Sequence, residues 1–125
     1  MRRKIAVVED NPDNRLLVQA LLEDLYEVSE FETGAEAVRG LSGDPPDLIL
    51  LDISLPEMDG TQVLRWIREQ DHLKGIPVIA LTAHAMAGDR EKCLQAGMNE
   101  HISKPIDPQR LVDILRTWLP VTETG

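Results

Sequence analysis

The sequence predicts an α/β fold in which helices cover both faces of a five-stranded parallel sheet. Short, continuously apolar segments alternate along the chain with segments whose apolar residues recur at helical spacing. Strands that are apolar throughout, and not only at every second residue, are typical of parallel sheets buried on both faces. Because crossovers between parallel strands are right-handed, the predicted architecture is a doubly wound (βα)5 three-layer sandwich.

Five segments have the length and composition of strands. Four of them are apolar runs that lead directly into a polar or charged residue. Short apolar runs with such ends are typical of buried strands. The poorest of the five, Glu27–Phe31, is expected to lie at an edge of the sheet. In chain order the predicted strands are Ile5–Val8, Glu27–Phe31, Leu48–Leu51, Val78–Leu81 and His101–Ser103.

Five further segments have apolar residues at helical spacing. Thr33 and Asp107 are predicted N-caps, and Pro108 suits the first position of a helix. The fourth helical segment carries Ala, Gly and Cys where the others carry Leu, so we expect it to pack least tightly. The apolar residues that mark four of these segments are Leu17, Leu21 and Leu25, then Val38 and Leu41, then Val63, Leu64 and Ile67, and last Leu111, Ile114, Leu115 and Trp118. The weaker fourth segment is Gly88–Ala96.

We expect the 125 residues to form one domain, with a core over about 4–120 and a short polar C-terminal tail, because no linker or repeat interrupts them. The net charge of −9 argues against a nucleic-acid surface, which needs clustered Lys and Arg. No apolar run approaches the ~18 residues of a membrane span. A lone Cys93 rules out an internal disulfide, and we expect a cytoplasmic protein.

Residues able to handle a phosphoryl group or a divalent metal follow four of the predicted strands. They are Glu9 and Asp10 after the first strand, Asp52 after the third, Thr82 after the fourth and Lys104 after the fifth. In open parallel sheets ligands bind beyond the carboxyl ends of the strands, so these residues are predicted to gather at one site. Each alone also fits a simpler role, as a polar turn, a helix cap or a loop lysine. We expect Thr82 at the surface, so that Thr82→Ala leaves folding intact.

Three carboxylates at one edge of a sheet would repel one another. Like charges ~5 Å apart repel by roughly 3 kcal/mol per pair at an effective dielectric of about 20. Something positive must offset that repulsion, and Mg²⁺, which often uses one or two carboxylates together with a phosphate, fits better than zinc. Lys104 is a mobile point charge that is suited to neutralise a phosphoryl oxygen.

Several short motifs surround these residues. They are Glu9-Asp10-Asn11-Pro12, Asp52 followed by Leu55-Pro56 and Met58-Asp59-Gly60, Thr82-Ala83, Ala96-Gly97, and Lys104-Pro105. With these motifs the chain resembles the receiver domains of two-component response regulators over almost its whole length. The resemblance implies the strand order 2-1-3-4-5 of the CheY-like, flavodoxin-like fold. It also implies a signalling phosphoacceptor that assists its own phosphorylation and dephosphorylation, and not an enzyme.

In that family the aspartate that matches Asp52 accepts a phosphoryl group from a phosphohistidine in a magnesium-dependent reaction. The resemblance implies that Asp10 and Asp52 ligate Mg²⁺ together with the backbone carbonyl of Ser54, with Mn²⁺ as an alternative ion. Glu9 would act on the ion through a water molecule. The residues themselves support this chemistry, because a carboxylate is a competent nucleophile once its charge is screened.

The resemblance also implies that Thr82, Lys104 and the backbone of Ala83 bind the phosphoryl oxygens. The peptide between Lys104 and Pro105 is cis in many relatives, and a proline lowers the cost of that isomer. Displacement of Thr82 toward the added negative charge would be the switch. The fourth helical segment, the fifth strand and the fifth helical segment form the predicted partner surface.

One position departs from the family pattern. Where many relatives have Tyr or Phe three positions before the lysine, this chain has His101, which is smaller and can be charged near neutral pH. His101 is therefore a candidate for the switch, and an exposed strand residue with no switching role is the alternative. Ser54 and His84 are candidates for tuning hydrolysis, since they would set the access of water to the acyl phosphate.

The chain resembles both stand-alone receivers of the DivK type and receivers attached to hybrid histidine kinases. The implied partners are a histidine kinase or histidine phosphotransfer protein and a downstream protein target, with no direct role for nucleic acid or membrane. We expect a monomer or a weak, phosphorylation-dependent dimer. An aspartyl-nucleophile phosphatase is a further alternative, but its nucleophile follows the first strand whereas Asp52 follows the third.

Overall fold

A computed structural model describes residues 3–53, 60–82, 97–103 and 105–119 of the chain. The strands are β1 (Lys4–Val8), β2 (Glu27–Phe31), β3 (Leu48–Asp52), β4 (Val78–Thr82) and β5 (Glu100–Ser103). They form one parallel five-stranded sheet in the order β2-β1-β3-β4-β5. The predicted α/β fold and strand order are therefore confirmed, and β2 lies at an edge as expected.

The described helices are α1 (Pro12–Leu22), α2 (Gly34–Gly43), α3 (Gly60–Glu69) and α4 (Pro108–Trp118). Helix α4 is the last of the predicted helical segments. The fourth predicted segment, 88–96, lies outside the described residues. Within the described residues, none of the helices has the length and apolar character needed to cross a membrane.

Side-chain caps fix where three of the helices begin. Thr33 Oγ1 accepts a hydrogen bond from the amide three residues later, at 3.1 Å, and Asp107 Oδ1 from the amide two residues later, also at 3.1 Å. Both predicted N-caps are thus confirmed, and Pro108 occupies the first position of α4. Asn11 Oδ1 accepts from the amides two and three residues later, so it caps α1.

Two apolar clusters lie on opposite sides of the sheet, which gives the molecule three layers. Ile5 and Val7 of β1 join a cluster with α1 and α4, whereas Ala6 and Val8 join a cluster with α2 and α3. Every residue of β3 and β4 is buried. Burial on both faces explains why these strands are apolar throughout.

The register of the central strands brings their carboxyl ends to one edge of the sheet. Val8 at the end of β1 pairs with Leu51 of β3, and Asp52 at the end of β3 pairs with Leu81 of β4. Glu9, the residue after β1, therefore lies next to Asp52 in the register of the two strands. The carboxyl ends of β1, β3 and β4 therefore lie side by side at this edge of the sheet.

Tyr26 joins the start of β2 to the end of α4. Its hydroxyl is buried and donates to the Leu119 carbonyl oxygen at 2.8 Å. Burial raises the pKa of Tyr26, so the hydroxyl stays protonated and able to donate near neutral pH. The bond links two parts of the chain that are 93 residues apart in sequence.

Tyr26→Phe should lower the free energy of unfolding by about 1–2 kcal/mol, because the Leu119 carbonyl loses a buried donor. Urea denaturation followed by circular dichroism measures the change. Thr117→Val is the matched control, since it removes an exposed hydroxyl that donates to the Asp113 carbonyl at 3.0 Å. The control should cost less than about 0.5 kcal/mol. Equal losses in the two variants would contradict the importance of the buried bond.

Candidate functional site

Three carboxylates that are distant in sequence lie together at the carboxyl edge of the sheet. One oxygen each from Glu9, Asp10 and Asp52 lies within 4.8 Å of those of the other two. Glu9 and Asp52 are buried, with 0% and 1% of their surface exposed, while Asp10 is exposed. The structure thus brings together the three acids that the strand pattern singled out, and we call them the acid cluster.

The backbone that carries the acid cluster is fixed where the chain leaves β1. The Glu9 amide donates to the Phe31 carbonyl at the end of β2, at 3.0 Å. The Glu9 carbonyl accepts from Arg15 Nη1 at 2.9 Å, and the same nitrogen donates to the Asp10 carbonyl at 3.2 Å. Main-chain and side-chain donors therefore hold the turn between β1 and α1 from both sides.

Arg15 also contacts the acidic end of β2. Its Nε lies 3.7 Å from Glu30 Oε1, and its Nη2 lies 3.1 Å from Glu32 Oε1. Only 14% of the Arg15 side chain is exposed. The guanidinium thus divides its donors between the backbone of the acid cluster and two glutamates of the neighbouring strand end, which ties the ends of β1 and β2 together.

Asn14 contacts the Glu9 carboxylate directly. Its Nδ2 donates to Glu9 Oε1 at 2.5 Å, and Asn14 is partly buried. Sequence reasoning missed both Asn14 and Arg15. The available signal was their position just after the Asn11-Pro12 helix start, because side chains early in a helix point back toward its N-terminus.

Thr82 ends β4 and is buried, with 0% of its surface exposed. The expectation of a surface threonine is wrong, because β4 is an interior strand that lies between β3 and β5. Thr82 pairs with Ser103, and the Ile53 amide donates to the Leu81 carbonyl at 3.2 Å, so strand pairing continues to this edge. Thr82→Ala would therefore remove a buried hydroxyl, and we expect it to lower the free energy of unfolding.

His101 lies on β5 opposite Ala80 and is mostly buried, with 14% of its side chain exposed. The alternative of an exposed strand residue is therefore wrong. Ala80 belongs to the apolar cluster of α2 and α3, and the neighbouring β5 residue Ile102 belongs to the other cluster. Among the described residues His101 Nδ1 has no hydrogen-bond partner, and Glu100 Oε1 lies 3.8 Å from it. A role for His101 in switching stays a prediction.

The remaining predicted site residues lie outside the described residues. They are Ser54, Ala83, His84 and Lys104. Their predicted roles in metal binding, phosphoryl binding and hydrolysis stay predictions, as does a cis peptide before Pro105. Pro105 itself is exposed and lies between β5 and α4.

The acid cluster offers only oxygen donors, which suit Mg²⁺ or Mn²⁺ better than Zn²⁺. Oxygens within 4.8 Å of one another repel by roughly 3 kcal/mol per ionised pair at an effective dielectric of about 20. Burial adds to this cost, because a carboxylate removed from water must be paired, hydrogen-bonded or ligated. The residues present therefore fit a site for a hard divalent cation.

Proteins that resemble this chain include a signal transduction kinase and a response regulator. A model of the response regulator receiver domain matches residues 5–116. The chain is 44% identical over 117 residues to the signal transduction histidine-protein kinase BarA of Escherichia coli (strain K12), a match that covers 93% of this chain and 13% of that kinase. It is 42% identical over 120 residues to the polar-differentiation response regulator DivK of Brucella anthropi, which covers 95% of this chain and 98% of DivK.

A solved structure with the same fold carries an ion in its site. The crystal structure of the receiver domain of the sensor histidine kinase PA1611 from Pseudomonas aeruginosa PAO1 matches with a TM-score of 0.85 and 44% identity. The match covers 94% of this chain and 98% of that domain. A magnesium ion is coordinated in the active site cleft of the PA1611 domain.

Asp10→Asn should weaken Mg²⁺ binding by about ten-fold or more, because the acid cluster loses one charge and one anionic ligand. Isothermal titration calorimetry measures the affinity. Asp13→Asn is the matched control, since Asp13 is an exposed acid in the first turn of α1 that lies outside the acid cluster. Unchanged affinity in Asp10→Asn would contradict a ligand role for Asp10.

Proposed function

The chain belongs to the response regulator receiver domain family, whose members are signalling phosphoacceptors, and we propose that Asp52 is its phosphoacceptor residue. One observation supports this assignment above the others. Asp52 ends β3, is buried, and has a carboxylate oxygen within 4.8 Å of those of Glu9 and Asp10. A nucleophile held beside two further carboxylates suits a reaction that requires a cation.

In the proposed reaction an oxygen of the Asp52 carboxylate attacks the phosphorus of a phosphohistidine. A bond forms between that oxygen and phosphorus, the bond between phosphorus and the imidazole nitrogen breaks, and the departing imidazole takes up a proton. Phosphoryl transfer depends mainly on positioning and electrostatic stabilisation. Burial at the end of a central strand supplies the positioning of Asp52.

We propose Mg²⁺, or Mn²⁺ in its place, as the ion of this site. Asp10, Asp52 and the backbone carbonyl of Ser54 would hold it, and Glu9 would act through a water molecule. When bound, the ion would neutralise the carboxylates and the phosphoryl oxygens that meet there. The oxygen-only acid cluster and the magnesium ion of the PA1611 receiver domain support this choice.

Thr82 and Lys104 are proposed to bind the phosphoryl oxygens, and Thr82 is proposed to move when the phosphoryl group is added. Because Thr82 is buried at the end of β4, its displacement toward a new phosphoryl group would disturb packed neighbours and not a free surface. His101, on the adjacent strand β5, is the candidate that would respond. The partner surface would comprise segment 88–96, β5 and α4. Ser54 and His84 remain candidates for tuning hydrolysis.

Receiver domains of two-component systems interact with histidine kinases or phosphotransfer proteins. We propose that this chain receives its phosphoryl group from one of these in the cytoplasm and signals to a protein target. Residues 1–125 are proposed to form one domain with a core over about 4–120. A monomer or a weak, phosphorylation-dependent dimer is proposed. The 42% identity to DivK supports a regulator of the DivK type as the first candidate. The 44% identity to BarA favours the second candidate, a receiver of a hybrid histidine kinase.

Incubation with a small phosphodonor and Mg²⁺ should add one phosphoryl group to the wild-type protein and none to Asp52→Asn, because the amide is not a nucleophile toward phosphorus. Intact-mass spectrometry detects the addition. Asp13→Asn should be phosphorylated like the wild type, and chelation of Mg²⁺ should suppress the reaction in both. Phosphorylated Asp52→Asn protein would mean that another residue is the acceptor.

A further inference from the structure

We infer that Asn14 is a positioning residue for the proposed cation site and acts through the Glu9 carboxylate. The inference rests on the proposed function, because it concerns the same ion. It adds a residue that is neither a ligand nor a contact of the phosphoryl group. Its basis is the hydrogen bond from Asn14 Nδ2 to Glu9 Oε1, at 2.5 Å, beside the acid cluster.

The backbone of Glu9 is already fixed by other contacts. Its amide donates to the Phe31 carbonyl and its carbonyl accepts from Arg15 Nη1. These bonds place the Cα atom of Glu9 but leave its side-chain torsions to be set by the groups around the carboxylate. Asn14 contacts the carboxylate itself, so it can determine the direction in which Glu9 presents its oxygens.

The chemistry of the amide suits this task. An ionised carboxylate can only accept hydrogen bonds, and the amide of Asn14 supplies a neutral donor. A neutral donor holds the carboxylate in place without cancelling the negative charge that attracts a cation. A lysine or arginine at the same place would compete with the cation for Glu9.

The start of α1 delivers Asn14 to this position. Asn11 caps the helix, and its Oδ1 accepts a hydrogen bond from the backbone N–H of Asn14 at 3.4 Å. Asn14 is the third residue of the helix. Side chains in the first turn point back past the helix N-terminus, toward the strand that precedes it. Asn is a poorer helix former than Ala, so helix propensity alone does not favour Asn at this position.

The test is a double-mutant cycle on the dissociation constant for Mg²⁺, measured by calorimetry on wild type, Asn14→Ala, Glu9→Met and the double variant. Asn14→Ala should weaken Mg²⁺ binding by about ten-fold, the lower end of the range for residues that orient metal ligands. In the Glu9→Met background the same change should alter the affinity by less than about two-fold, because the carboxylate that Asn14 orients is gone. The increase in melting temperature caused by Mg²⁺ should shrink in parallel.

Gln19→Ala is the matched control, an amide-to-alanine change on α1 at a partly buried position away from the acid cluster, and it should leave Mg²⁺ affinity unchanged. Circular dichroism melts establish that every variant is folded, and Ala at position 14 favours the helix. Unchanged Mg²⁺ affinity in Asn14→Ala, or an equal loss of affinity with and without Glu9, would overturn this inference but not the proposed metal site. Failure of the wild-type protein to bind Mg²⁺ would overturn the proposed metal site as well.

Discussion

Like charges crowd at one edge of the sheet, and the rest of the site depends on how that repulsion is contained. Two of the three carboxylates are buried, and their oxygens lie within 4.8 Å of one another. Each ionised pair costs roughly 3 kcal/mol at an effective dielectric of about 20. The same crowding of oxygen ligands suits the divalent cation that we propose for this site.

The fold holds these charges together through strand pairing and through hydrogen bonds from Arg15 and Asn14. Register places the ends of β1 and β3 side by side, so Glu9 and Asp52 cannot separate without breaking strand pairing. Arg15 donates hydrogen bonds to the carbonyl oxygens of Glu9 and Asp10, and it also contacts the two glutamates at the end of β2. Asn14 holds Glu9 with an uncharged donor. The turn from β1 into α1 thus fixes the backbone of the acid cluster and holds the Glu9 carboxylate with a neutral donor.

Strand positions and helix caps followed from the sequence because each depends on local composition: continuous apolar runs mark interior strands, and Thr33 has the side chain that an N-cap needs. The acid cluster could be predicted because parallel strands end at a common edge. Burial of Thr82 and His101 could not, since it depends on which elements cover each position. Asn14 and Arg15 were missed because polar residues on a helix resemble a solvated face until the direction of its first turn is known.

The most direct test compares the free energy of unfolding of wild type and Asp52→Asn by urea denaturation, without divalent cation and with Mg²⁺. Without cation, Asp52→Asn should be more stable than wild type by about 1–3 kcal/mol, because one buried charge is removed from the acid cluster. Mg²⁺ should stabilise the wild type more than Asp52→Asn, since it binds the intact cluster more tightly. An Asp52→Asn protein no more stable than wild type in the absence of divalent cation would contradict the account.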